Sequence, residues 1–166
     1  MPELVEAPAK LTRTLRITGS RPDGYHLLDA EMVSVDLVDR LTISPGDGLT
    51  VEGGGSDIPT GDGNLVRRAL AAVDRQAAVH LEKGIPSGAG LGGGSADAAA
   101  VLRWAGCEDL TVAVGLGADV PFCLHGGRAR VTGVGEQLEP LPFDDLTFTL
   151  LTPPVHCATA DVYRAW

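Results

Sequence analysis

The run Lys83-Gly-Ile-Pro-Ser-Gly-Ala-Gly-Leu-Gly-Gly-Gly-Ser-Ala-Asp97 constrains this chain more than any other stretch. A short apolar strand pattern, Ala77 to Glu82, feeds it. The alanine-rich stretch Ser95 to Trp104 that follows predicts a helix ending near Gly106. A strand, a turn of nearly pure glycine and a helix start together make a cradle for phosphate. Glycine lets the backbone approach an anion with no Cβ in the way. The N–H groups of the first helical turn lack intrahelical partners, and the helix dipole adds a favourable partial charge. Ser95 reads as the cap of this helix or as a hydroxyl turned toward a phosphate or a metal ion. The 22 glycines exceed the usual share of roughly 7 % and gather in clusters, so they mark positions and not a low-complexity wash.

Three phosphate-loop patterns compete for this run. The P-loop requires a Lys after its last glycine, and none stands here. Gly88-Ala-Gly90-Leu-Gly-Gly93 satisfies the dinucleotide fingerprint, but that fingerprint follows the first strand of a βαβ unit. Here a long strand-rich stretch comes first. A glycine-rich turn with no ligand is the bland alternative. The third pattern, P-x-x-x-G-L-G-[SG]-[SG]-S-A, is matched throughout from Pro86 to Ala96.

The remaining pattern is that of an α+β domain. An extended segment starts around Leu11 and stops at Gly19, and Arg21-Pro-Asp-Gly24 carries turn chemistry. Leu27 to Ile43 alternates as a strand, Leu49 to Glu52 is a short return strand, and Gly53 to Gly63 is loop. Asn64 to Val73 predicts an amphipathic helix, and Leu110 to Leu116 a brief one. Arg128 to Thr132 and Leu146 to Leu151 read as strands, and Ala158 to Trp166 opens a helix. Strands first, then mixed elements, argue against a doubly wound sheet.

The chain of 166 residues suits one domain, and its net charge of −9 argues against a nucleic-acid or anionic-membrane surface. A small phosphate ligand needs only backbone N–H groups and is not excluded. Cys107, Cys123 and Cys157 form no CxxC pair, which argues against a zinc site and for reduced thiols, with Cys123 a buried small hydrophobe. No stretch approaches a membrane span, and Glu3 and Glu6 do not suit a signal peptide, so a cytoplasmic location is expected.

The loop Pro86, Ser87, Gly88, Ala89, Gly90, Leu91, Gly92, Gly93, Gly94, Ser95, Ala96 resembles the phosphate loop of the GHMP kinase superfamily. Ala7-Pro-Ala-Lys10-Leu11, Thr18-Gly-Ser-Arg-Pro-Asp-Gly-Tyr-His26, Asn64-Leu-Val66, Leu116-Gly-Ala-Asp-Val-Pro-Phe122 and Gly133-Val-Gly-Glu136 narrow the resemblance to one branch, the 4-diphosphocytidyl-2-C-methyl-D-erythritol kinase family. The resemblance implies a domain like domain 2 of ribosomal protein S5 over 1–155. A connection at 156–166 would lead to a C-terminal ferredoxin-like domain that this sequence does not contain. It also implies transfer of the γ-phosphoryl of ATP, with Mg²⁺, to a tertiary hydroxyl of a substrate bearing a cytidine diphosphate group, in the non-mevalonate isoprenoid route.

By the same resemblance Asp119 takes the proton of the attacking hydroxyl and Lys10 is its partner. Tyr25 and His26 recognise the cytosine, by stacking and by a hydrogen bond. The loop holds ATP, with Ser95 on phosphate or Mg²⁺. Asn64 and Leu65 frame the adenosine side, with a helix cap as the alternative for Asn64. Lys83 reaches a phosphate or ends a strand in solvent, and Asp97 complements the helix N-terminus. The sequence departs from the family at Leu11-Thr12-Arg13, where Ile-Asn-Leu is usual, so Thr12 stands at a substrate position and Arg13 is expected to face solvent. The surface left by a missing C-terminal domain would suit association with a partner. The competing readings are another small-alcohol kinase of the superfamily and a non-catalytic nucleotide-binding module.

Overall fold

A computed structural model describes residues 1–54 and 58–151. The elements are β1 (Glu3–Ser20), β2 (His26–Ser44), β3 (Gly48–Gly53), α1 (Leu65–Ala72), β4 (Ala78–Lys83), α2 (Gly93–Trp104), α3 (Leu110–Leu116), α4 (Val120–His125), β5 (Arg128–Gly133) and β6 (Gln137–Pro140). They form one mixed sheet with helices, the α+β class that the element order predicts.

The long strand β2 organises the sheet. β1 runs antiparallel along one edge of β2, from Glu3 opposite Ile43 to Ser20 opposite His26. The other edge of β2 is shared, with β5 on residues 28–33 and β4 on 40–44. β6 extends the sheet antiparallel beyond β5. Leu49 to Glu52 is a strand, but it does not return against β2. β3 pairs parallel with β4 instead, and β4 occupies the place beside β2. α1 lies between β3 and β4 in sequence and makes the crossover that a parallel pair requires.

Alternation along β2 and β4 selects the inner face. Leu41, Ile43, Val79 and Leu81 are fully buried beneath the helices, together with Ala7 and Ala9 of β1. Ala96, Ala98, Ala99 and Ala100 of α2 are also buried. Their small side chains let α2 pack at once on β1, α1 and α4. Phe122 of α4 closes a second cluster with Ala30, Met32, Ala129 and Val131. Burying that ring stabilises the fold by roughly 1.5–3 kcal/mol.

One predicted strand is absent. Leu146 to Leu151 is irregular, because no strand among the described residues lies beside it and Leu146, Leu150 and Leu151 are exposed. α4 and β6 were not anticipated. Val120-Pro121 opens α4 with Pro in its first turn, where the missing N–H costs nothing. The expected helix Ala158 to Trp166 and the 156–166 connection lie outside the described residues. Among the described residues no helix is long and apolar enough to cross a membrane.

Candidate active site

The glycine loop leaves β4 and wraps the N-terminal end of α2. Gly88, Gly90 and Gly92 have φ of 72°, 74° and 68°, a left-handed conformation that side chains with a Cβ rarely adopt. Gly92 caps α2, and no side chain bonds the first turn. Ser95 therefore does not cap the helix. It sits half-buried in the first turn, beside the Asp119-bearing turn, where a Cβ on Gly117 would lie 4.0 Å from Ser95 Oγ. The loop walls a cleft of about 320 Å³, whose other side is formed by Ile58, Pro59, Asn64 and Leu65. Asn64 lines the cleft and also caps α1, accepting from Val66 N at 2.8 Å.

Lys10 and Asp119 meet where β1, the loop and α4 converge. The Pro8 to Lys10 interval carries a register shift, and such an irregularity re-aims the side chain that follows. The backbone N–H of Lys10 donates to Leu91 O at 2.9 Å, tying β1 to the phosphate loop. Lys10 Nζ lies 3.2 Å from Asp119 Oδ2 and donates to Thr12 Oγ1 at 3.2 Å. A Cβ on Gly92 would stand 2.8 Å from Lys10 Cγ, so the glycine makes room for the lysine stem. Three sequence-chosen residues, Lys10, Thr12 and Asp119, are thus gathered against the loop.

Tyr25 and His26 sit elsewhere, at the turn between β1 and β2. The Tyr25 ring is exposed, with the Arg21 guanidinium 6.0 Å from its centre. Arg21 donates to Asp23 at 2.6 Å, and Gly24 adopts φ 87°. The pair is presented on the β1–β2 ribbon, whereas Lys10 stands opposite Ser34 farther along β2.

Beneath the loop lies a charged cluster that was misread or missed in sequence. Lys83 is not solvated: it lines the cleft, with its ammonium held between two carboxylates. Its ammonium bonds Asp39, and it donates to Asp97 at 2.8 Å, with side-chain exposures of 5 %, 0 % and 4 % for Lys83, Asp39 and Asp97. Asp39 Oδ1 also accepts from the backbone N–H groups of Gly84 and Ile85, at 2.7 and 2.8 Å. Asp97 is not a surface complement to the helix end. Its Oδ1 is buried with no hydrogen-bond partner among the described residues, and burial pushes the carboxyl up to about 7 against the pull of Lys83. The cluster joins the strand that enters the loop to the helix that leaves it. Arg13 is exposed, as expected, and pairs with Glu31 at 2.7 Å and Asp144 at 3.1 Å.

Cys123 packs in the core behind this site, where burial pushes its thiol up to about 12.

The described geometry is that of a known group of proteins. The profile of the GHMP kinases N terminal domain matches residues 64–127. The 4-diphosphocytidyl-2-C-methyl-D-erythritol kinase of Dinoroseobacter shibae is 44 % identical over 95 % of this chain and 58 % of its own length. That of Pelotomaculum thermopropionicum is 46 % identical over 96 % of this chain and 62 % of its own. A crystal structure of 4-(cytidine 5'-diphospho)-2C-methyl-D-erythritol kinase superposes with a TM-score of 0.74 at 40 % identity, covering 99 % of this chain and 64 % of that one. The chain spans about three fifths of the length of the curated relatives it matches. The chain therefore carries a GHMP kinases N terminal domain and is similar, along nearly its whole length, to about three fifths of the length of the 4-diphosphocytidyl-2-C-methyl-D-erythritol kinases.

Proposed function

We propose that this chain carries the nucleotide-binding and proton-accepting half of a kinase site. The kinase transfers the γ-phosphoryl of ATP to the tertiary hydroxyl of 4-diphosphocytidyl-2-C-methyl-D-erythritol, in the non-mevalonate route to isoprenoids. The observation that carries this reading is the Lys10–Asp119 contact of 3.2 Å, locked to the phosphate loop by the Lys10 N–H to Leu91 O bond. Phosphoryl transfer needs alignment and charge stabilisation more than covalent help. One residue, Lys10, here fixes the distance between the phosphate cradle and the proton acceptor.

The roles follow from the positions. The loop from Pro86 to Ala96 presents backbone N–H groups and the N-terminal end of α2 to the polyphosphate. The substrate hydroxyl lies against Lys10 and Thr12, and Asp119 Oδ2 accepts its proton as the new O–P bond forms and the bond from the γ-phosphorus to the bridging oxygen breaks, releasing ADP. Tyr25 offers an open ring face for the cytosine, and His26 stands next to it. Ser95 Oγ, in the first turn of α2, is an oxygen donor of the kind Mg²⁺ takes and would hold the ion. When bound, Mg²⁺ neutralises charge on the transferring phosphate. A donor such as ATP suits a reaction in the cytoplasm.

Titration calorimetry with a non-hydrolysable ATP analogue, and separately with the cytidine diphosphate substrate, tests the reading. Binding of both is expected, with phosphate transfer when ATP and Mg²⁺ replace the analogue. Failure to bind the cytidine compound overturns the substrate assignment. Binding without transfer reduces the chain to a nucleotide-binding module.

A further inference from the structure

The solvent face of the sheet bears a second cluster, on the opposite side from the cleft. β3 and β4 run in parallel register with Thr50 beside His80 and Glu52 beside Glu82. Val79 and Leu81 point into the core, so His80 and Glu82 point outward by strand alternation. The imidazole nitrogen and carboxylate oxygens of Glu52, His80 and Glu82 all come within 4.8 Å of one another.

Two features make this more than a pair of surface acids. Like charges placed directly across neighbouring strands repel, yet Glu52 faces Glu82, and Glu82 makes no ion pair among the described residues. Arg40, the β2 residue in register with Glu82, has its Nε 3.4 Å from Glu6 instead. His80 Nδ1 lies 2.9 Å from Thr50 Oγ1. Thr50 thus holds the imidazole through Nδ1, and Nε2 lies on the side of Glu52 Oε2, 3.5 Å away. A partner that fixes the ring through its other nitrogen is the usual support of a metal-bound histidine.

We propose that Glu52, His80 and Glu82 form a site for a divalent transition-metal ion of the zinc class, with water completing the shell. One imidazole nitrogen and two carboxylates suit Zn²⁺, Co²⁺ or Ni²⁺, whereas Mg²⁺ favours oxygen alone. The cysteine spacing that argued against zinc does not bear on this His–Glu set. The ion ties together two strands that flank the phosphate loop. Glu52 lies just before Gly54, whose carbonyl accepts from Ser87 Oγ at 3.0 Å, and Glu82 precedes Lys83.

The test is calorimetry with ZnCl₂ on the 166-residue chain, joined to amide spectra recorded with Co²⁺. One equivalent of Zn²⁺ is expected, and His80→Ala or Glu82→Gln should weaken it about tenfold or more. Paramagnetic broadening should centre on residues 50–53 and 79–83. Glu52→Gln should leave the metal-free Tm unchanged or higher, since it relieves the Glu52–Glu82 repulsion, while abolishing the rise in Tm that Zn²⁺ produces. Broadening centred elsewhere, for instance on Cys107 or around His156 and Cys157, overturns the site. So does equal Zn²⁺ affinity in the wild type and His80→Ala.

Discussion

Replacing Lys83 by Met isolates the charged cluster beneath the phosphate loop. The alkyl stem remains, but the ammonium that joins Asp39 to Asp97 is lost. Removing one partner of a buried ion pair costs about 3–5 kcal/mol, because a charge stays buried without compensation. The loss falls unevenly. Asp39 keeps the N–H groups of Gly84 and Ile85, whereas Asp97 is left against the Asp39 carboxyl and already has an orphaned oxygen. The expected loss is therefore about 3 kcal/mol or more at about pH 8. Urea unfolding followed by tryptophan fluorescence should show the midpoint falling by roughly 1–2 M, for a slope of about 2 kcal/mol per molar. Asp97→Asn added to Lys83→Met should recover about 1 kcal/mol or more, since it removes the carboxylate left bare. A pH series supplies a second check. In the folded wild type burial holds the Asp97 carboxyl up at about 7, above its ordinary value of 3.8, so the folded state holds the proton more tightly. Its contribution to stability is thus greatest below about pH 4, declines as pH rises toward about 7, and is flat above. Wild type should accordingly lose ground to Asp97→Asn as pH rises through that window. A Lys83→Met loss below about 1 kcal/mol at about pH 8, or a double variant no more stable than the single, refutes the uncompensated-charge account.

Asp119→Asn should lower kcat by about 10²-fold or more while nucleotide affinity stays nearly intact, as steady-state kinetics and calorimetry together would register; unchanged activity removes Asp119 as the proton acceptor. Gly92→Val should both destabilise the chain, by about 1–2 kcal/mol for left-handed backbone alone, and displace Lys10, whose Cγ stands 2.8 Å from the new Cβ. Gly61→Ala, which meets nothing within 4 Å, is the neutral control, and equal kinetics in the two variants would discard the Lys10 explanation. Cys123, held up to about 12 and buried, should not react with a disulfide reagent at neutral pH, so Cys123→Ala should show the same count of fast-reacting thiols as the wild type.

The part of the site that was legible in sequence is the part carried by local rules. The glycine loop, the alanine helix and the alternation of β2 each declare themselves within a dozen residues, and α3 falls where Leu110 to Leu116 predicts it. Lys10 and Asp119 were found through resemblance, because nothing local distinguishes them from a surface lysine and a turn aspartate. Partner choice in the sheet was hidden for a different reason. Whether β3 returns to β2 or lies beside β4 depends on which strand reaches the β2 edge, and β4 comes later in the chain. The buried cluster left a signal that composition obscured. Asp39 stands in the apolar row Val33, Val35, Leu37, Leu41, Ile43, and Lys83 in the row Val79, Leu81. A charge in such a row either breaks the face or meets an opposite charge from the neighbouring strand. The β2–β4 register, with Arg40 opposite Glu82, carries Asp39 to the Lys83 end. Asp97 on the buried face of α2 completes the group. The same pleat that hides Lys83 presents Glu82 and His80 to solvent, so one strand serves the loop with its inner face and the acidic cluster with its outer one.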